Sequence, residues 1–338
     1  MAASEKTWPF QPLWWEASAY MEDVMSYKLR ELPLAIVILV VDVGFCLPAQ
    51  ATFPGKNGQI TYVQFTPDGD EHVFVANPDG SNELQLFAMT SEGSDWSADG
   101  SRIAFDFFDG TTVQIGTINP DGSGFVQLTF DSAFHASPTW SPDGKSIAFD
   151  LESDSERGIQ IIDSSDGTVL LQVTSNPSGI DVEPQWSPDG QWIVFSRATG
   201  NRVNRGRGTV TLFLVRPDGT GLHQLTPPGL NADFQGADWS PDGTKIAFSG
   251  KHNVPANFGI WTIHPDGSGL RALIKGTGFA YFDRPTWSPD GTRLITHARL
   301  TLQGDSLWEV NADGSNLHKI DGIQGNVGFP DWGTHPLQ

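Results

Sequence analysis

Four sets of residues in this sequence have the types and spacing to do chemistry. His135 and His297 lie near acids, where imidazoles serve as metal ligands or as general bases. They share no fixed ligand spacing, so no metal centre is expected and catalysis is the lesser expectation. Arg197, Arg202, Arg205 and Arg207 crowd into "SRATGNRVNRGRGTV" as a candidate anion-binding loop, because guanidinium forks suit carboxylate or phosphate groups. Glu152, Asp154 and Glu156 in "DLESDSERG" offer oxygens for a weak Ca²⁺ contact, without the loop pattern of a dedicated site. No other cofactor is expected. The fourth set is Asp95, His135, Asp181, Glu183, Gln235, Asp283, Arg284 and Asp331, which stands out only when the chain is aligned on its own repeats. No G-x-S-x-G elbow occurs, so serine-peptidase chemistry has no nucleophile here.

The repeat that positions these residues is built on tryptophan. "SPTWSPDGKSIAFD" at residues 137 to 150 has counterparts in "SDWSADGSRIAFD", "PQWSPDGQWIVFS", "ADWSPDGTKIAFS" and "PTWSPDGTRLITH". Trp96, Trp140, Trp186, Trp239, Trp287 and Trp332 follow one another at intervals of 44, 46, 53, 48 and 45 residues. Periods of that size mark propellers and related arrays. Each unit carries a second turn phrase of the "NPDGSG" kind. It reads strand, Asp-Gly turn, strand, variable loop, strand, Asp-Gly turn, strand. Pro presets the first corner of such a turn, Asp bonds the backbone ahead, and Gly accepts the positive φ. Four antiparallel strands per unit make a propeller blade. Six tryptophans therefore predict an all-β, six-bladed β-propeller with each indole packed between neighbouring blades.

The ends predict how the ring closes. Before Trp96 there are three strands, "GQITYVQF", "HVFVANP" and "ELQLFA"; after the last repeated turn phrase there is one, "GFPDWG". Joining the C-terminal strand to the N-terminal three completes one blade and leaves no open end. Strand direction then sends both Asp-Gly turns of every blade to one face. The opposite face carries the loop inside each blade and the crossing to the next. The first face is near-uniform and the second differs in every unit, and binding on a rigid scaffold belongs to variable loops. The fourth set lies at the ends of the crossings and is expected to ring the mouth of a central channel. Phe134, Phe234, Phe279, Tyr281 and Phe282 share those crossings, as partner anchors or as packing beneath the loops.

A formal charge of -20 excludes a basic nucleic-acid footprint. Many of the acids sit in the fourteen Asp-Gly pairs, which makes them turn residues first. The single cysteine, Cys46, leaves neither a disulfide nor a cysteine metal cluster to hold the body together. Residues 25–51 read as a secretory signal peptide: Lys28 and Arg30, then the apolar run from Leu32 to Val41, then Ala49-Gln50-Ala51. The expected product is a periplasmic or secreted monomer, not membrane-embedded once the leader is removed. Residues 1–24 form an unassigned extension and residues 52–338 one propeller domain.

"WSPDG", recurring in register with its partner "DGSG", resembles the WD40-like PD40 repeat of the TolB β-propeller family. The resemblance covers about 85% of the chain. It implies a six-bladed propeller, export, and binding of a protein or peptide partner of the cell envelope. A glycan is the second class of partner, and with it the lyase alternative. TolB carries an α/β domain before its propeller, and about 50 residues cannot hold one. Functions lodged in that domain are not carried over.

Overall fold

The computed structural model describes residues 53–66, 69–153, 155–199, 209–227, 230–252, 259–275, 280–300 and 304–334. All regular elements among them are β-strands. The first described strands are β1 (Asn57–Phe65), β2 (Glu71–Ala76) and β3 (Leu84–Gln85). Blade 1 is β4 (Ser91–Trp96), β5 (Ile103–Phe108), β6 (Val113–Ile118) and β7 (Val126–Gln127). Blade 2 is β8 (Phe134–Trp140), β9 (Ser146–Glu152), β10 (Arg157–Asp163) and β11 (Val169–Gln172). Blade 3 is β12 (Gly179–Trp186), β13 (Ile193–Thr199), β14 (Thr209–Val215) and β15 (His223–Gln224). Blade 4 is β16 (Leu230–Trp239), β17 (Ile246–His252), β18 (Gly259–Ile263) and β19 (Arg271–Ala272). Blade 5 is β20 (Ala280–Trp287), β21 (Arg293–Leu300), β22 (Gly304–Asn311) and β23 (His318–Lys319). The last strand, β24 (Asn326–Thr334), joins β1, β2 and β3 as blade 6 in the order β24-β1-β2-β3. Ile60 lies opposite Trp332 and Thr61 opposite Asp331. The six blades and the closure are those the repeat predicts.

The turn phrase folds for local reasons. Ser97 Oγ donates to Asp99 Oδ1 at 2.7 Å and accepts the Arg102 N–H at 2.9 Å, while Asp99 Oδ1 accepts the Ser101 N–H at 3.0 Å. The Ser–Asp pair recurs at Ser141 and Asp143, Ser187 and Asp189, Ser240 and Asp242, and Ser288 and Asp290. The glycine that follows each Asp has a φ of 67° to 69°, a conformation that costs a β-carbon. These carboxylates are therefore committed to their own turns.

The six repeat tryptophans are all buried. Their place between blades is clearest at the closure. A β-carbon on Gly333 of blade 6 would lie 2.4 Å from the Trp96 ring of blade 1. Trp239 and Trp287 donate their indole N–H to the Gln185 and Asp238 carbonyls of the preceding blade, each at 3.3 Å. Among the described residues no helix is long and apolar enough to cross a membrane.

Candidate functional site: the channel mouth

The innermost strands β4, β8, β12, β16, β20 and β24 surround a central channel, and counting back from each tryptophan gives its layers. One residue back lie Asp95, Thr139, Gln185, Asp238, Thr286 and Asp331; three back lie Gly93, Ser137, Glu183, Gly236, Arg284 and Phe329. All of the second layer, with Gln185, Asp238, Thr286 and Asp331 of the first, line one cavity of about 80 Å³.

The layer next to the tryptophans ties the ring together. Asp95 Oδ2 accepts the backbone N–H of Trp140 at 2.6 Å, Asp238 Oδ2 that of Trp287 at 2.8 Å, and Asp331 Oδ2 that of Trp96 at 2.9 Å. Each carboxylate reaches into the next blade. Thr139 donates to Gln185 Oε1 at 2.9 Å and Thr286 to Asp331 Oδ1 at 3.2 Å, again across a blade boundary. Burial pushes the Asp331 carboxyl up to about 6. Burial, then the charge of Asp331, pushes Asp95 well above the usual carboxylate range.

The outer layer is built differently. In every blade the innermost strand bulges against its neighbour here: two residues face one in five blades, and four face one in blade 4. Ser137, Glu183, Gly236, Arg284 and Phe329 have φ values of 53°, 52°, 68°, 47° and 55°. Four of the five carry a β-carbon, and backbone in this region costs on the order of 1 kcal/mol or more for such residues. Buried acids of the preceding blade hold two of them in place. Asp106 Oδ2 accepts the Ser137 N–H at 2.9 Å and Asp150 Oδ1 the Glu183 N–H at 3.1 Å. Asp106 and Asp150 are the residues that follow the strand aromatic in the two "IAFD" copies. Burial pushes Asp106 up to about 7.

Arg284 spans this layer. Its Nη2 lies 3.1 Å from Glu183 Oε1, and its guanidinium carbon sits 3.6 Å from the centroid of the Phe329 ring. Glu183 Oε2 accepts the Gly236 N–H. A β-carbon on Gly236 would lie 3.5 Å from Arg284 Cα. Blades 3, 4, 5 and 6 thus meet through one cation. Burial raises the Glu183 carboxyl and the Arg284 charge offsets part of that rise. The result is a fixed guanidinium, one face against an aromatic ring, at an opening whose lining differs in every blade.

The residues singled out in the sequence divide among several places. Glu183 and Arg284 are in the outer layer, Asp95 and Asp331 in the layer of interblade ties. Asp181 and His135 are buried behind the channel. Asp181 accepts Arg197 Nε at 2.7 Å and Nη2 at 2.5 Å, plus the Thr174 hydroxyl at 2.7 Å. Arg197 therefore belongs to a buried ion pair, stacked at 4.9 Å on Phe213, and not to an anion-binding loop. Arg202, Arg205, Arg207 and Asp154, and the side chain of Gln235, lie outside the described residues. Glu152 pairs with Arg157 at 3.1 Å. His135 is 1% exposed, with Nδ1 3.3 Å from Gln114 Oε1, and burial lowers its pKa. Phe282 is fully buried.

Asp283 meets His297, Nδ1 to Oδ1 at 2.6 Å, beside Asp305, which accepts Arg299 at 2.6 and 2.8 Å. His297 Nε2 is 3.2 Å from Asp305 Oδ1, an ion-pair contact without hydrogen-bond alignment. Burial lowers the His297 pKa, but Asp283 and Asp305 outweigh it and raise it to about 9. Both histidines of the lyase reading are thus engaged internally. Among the described residues no group of three or more His, Cys, Asp or Glu is placed to hold a metal. The sequence reading missed Gly93, Ser137, Gly236, Phe329 and Asp238. The third column before each tryptophan, which runs G, S, E, G, R, F, carried the signal.

Comparison with known proteins agrees with this architecture. The profile of the family described as TolB beta propeller domain (PD40) matches residues 57–336. The Tol-Pal system protein TolB of Anaeromyxobacter dehalogenans is 34% identical over 86 residues, 22% of this chain and 20% of that protein. A TolB homolog of Chlorobium luteolum is 30% identical over 139 residues, 41% of this chain and 28% of that protein. The matched stretches thus span less than a third of either curated relative. Among solved structures, TolB from Acinetobacter baumannii superimposes with a TM-score of 0.69 at 24% identity, over 84% of this chain and 68% of that one, a likeness of fold.

Proposed function

Because the chain belongs to the TolB β-propeller family, we propose that it is an exported, non-enzymatic scaffold that binds a protein or peptide of the cell envelope at its channel mouth. The observation that carries this reading is the Glu183–Arg284–Phe329 contact in the outer layer. A cation held between a carboxylate and an aromatic face is a common anchor at protein interfaces, where arginine and aromatic residues are enriched. The surrounding column runs Gly, Ser, Glu, Gly, Arg, Phe around the ring and has no rotational symmetry, so a partner meets the ring in one orientation only. Strained backbone at these positions fits a site shaped for contact. The Tol-Pal system named for the Anaeromyxobacter relative supports an envelope partner and a periplasmic location for this chain.

The test is capture of partners from the native envelope fraction, followed by calorimetry with the protein recovered. E183Q/R284Q removes both charges; E183Q keeps the shape of the side chain, and R284Q also removes the guanidinium stacked on Phe329. The reading expects it to weaken binding by about tenfold or more, which is 1.4 kcal/mol. Unchanged affinity, with the variant folded, overturns it.

A further inference from the structure

The Asp-Gly turn face carries an open socket at blade 4. In blade 4, a socket of about 190 Å³ opens among the ends of β17, β18 and β19, lined by Lys245, Thr262, His264, Gly269, Arg271 and Leu273. No carboxylate lines it, in a chain whose formal charge is -20.

The same position in three other blades is closed by internal partners. In blade 1, Arg102 stands where Lys245 does, and its Nη2 donates to Thr117 Oγ1 at 2.5 Å and the Gly124 carbonyl at 3.3 Å. In blade 5, Arg293 Nη1 donates to both oxygens of Glu309, at 2.9 and 3.0 Å. In blade 3, Trp192 fills the place, with the Arg216 guanidinium 4.8 Å from its centroid and the His223 ring edge-on at 5.4 Å. Blade 4 puts the neutral Thr262 in the register of Glu309. Among the described residues, neither Lys245 nor Arg271 has a side-chain hydrogen bond or ion pair. The nearby acids are committed elsewhere. Asp242 Oδ1 accepts Ser240 Oγ and the Thr244 N–H, and Asp266 Oδ1 accepts the Ser268 N–H.

His264 is oriented for the same task. A carbonyl can only accept, so its Nδ1 donates to Thr244 O at 2.8 Å; Nε2 is the ring atom left for a ligand, accepting from a protonated oxygen in the neutral ring and donating only in the imidazolium. That atom lies over Gly269, where a β-carbon would come within 2.5 Å of it. Glycine there also takes a φ of 67°.

We infer that the blade 4 socket is a binding site for a phosphate-type oxyanion. An ammonium, a guanidinium fork, an imidazole and a hydroxyl line one small cavity. The ammonium, the guanidinium and the hydroxyl alone offer more donors than the two oxygens of a carboxylate take up, and they suit a multiply charged group with three or more oxygens. The site lies on the face opposite the channel mouth and does not depend on the function proposed there.

The test titrates inorganic phosphate into the protein at constant ionic strength, followed by backbone amide shifts and by melting temperature. Phosphate is expected to shift the amides of Lys245, Gly269 and Arg271 and to raise the melting temperature. K245Q/R271Q is expected to fold as wild type and to weaken binding by about tenfold or more. Vesicles containing phosphatidylglycerol distinguish the source. Binding lost in the double variant points to a lipid headgroup, and phosphate binding without vesicle binding points to a free phosphate or phosphomonoester. Three results overturn the inference: chloride or acetate reproduces the shifts, the sockets of blades 1 and 3 shift equally, or the folded double variant keeps its affinity.

Discussion

Two layers of the channel, two residues apart on the same six strands, do different work. Asp95, Asp238 and Asp331 each hold the backbone of the next blade's tryptophan. A ring of this size needs such ties whatever it binds. Two residues earlier, Glu183, Arg284 and Phe329 hold one another, on backbone that others must constrain. The difference teaches that an acid beside the channel is no guide to function until its acceptor sites are accounted for. Asp95, Asp238 and Asp331 are spent on the backbone of the next blade, whereas Glu183 gives one oxygen to the Gly236 N–H and the other to Arg284, which keeps a side-chain pair at the mouth.

The comparison can be broken from the structural side first. Removing residues 327–338 takes away β24 and exposes β1, and the protein should lose its cooperative melting transition. Trp332→Ala alone should cost about 3–5 kcal/mol. A normal melt for the truncated chain would contradict ring closure. Asp95→Ala leaves the Trp140 N–H without an acceptor and should cost about 1–3 kcal/mol, with partner affinity unchanged. If affinity falls instead, the two layers are not separate in function.

The buried histidine sharpens the structural side by pH. The His297 pKa is raised from 6.5 to about 9 in the fold, so its contribution is fully present below 6.5 and is lost as pH rises through 9. Chemical denaturation across that window should show stability falling by up to about 1.4 kcal/mol per pH unit. His297→Gln should flatten the slope; an equal slope in the variant would assign it to other groups.

On the binding side, E183Q/R284Q should lower affinity by about 1.4 kcal/mol or more; because the pair is buried and Glu183 accepts the Gly236 N–H, stability should fall by about 1–3 kcal/mol as well. Calorimetry and a denaturation curve on the same sample separate the two effects. The smallest change is expected at the turn face away from blade 4's socket. Lys145→Ala and Thr292→Ala should move stability by about 0.5 kcal/mol or less and leave partner affinity alone. A loss of affinity there would place the interface on the other face.

Much of the fold was legible because its signals are local and repeated. Ser97, Asp99 and Gly100 make their turn among themselves, so the phrase reads the same wherever it occurs. The three strands before Trp96 and the single strand around Trp332 could only complete one another. The channel was less legible because of the bulge. Alternation counted back from Trp140 is reset between Ala136 and Thr139, and His135 is packed behind the channel against Phe149. Asp181 and Asp283 lie beyond the same kind of reset in their own strands. The side chains that hold the bulge, such as Asp106 for Ser137, come from the preceding blade, about thirty residues earlier in the chain.

The sequence by itself determined the all-β class, the four-stranded unit, the count of six and the way the ends meet. Each of these follows from short-range turn chemistry and from a tryptophan that must be buried at every repeat. Only the tertiary structure decided which polar residues are free to act. Asp331 was a candidate contact until it closed on the Trp96 N–H, Arg197 until it closed on Asp181, and Lys245 drew no notice until its socket proved to lack the acid that blade 5 supplies. The reason is physical. A buried charge must find its partner wherever the fold brings one, and that partner sits on another strand or another blade, at a distance no local pattern encodes.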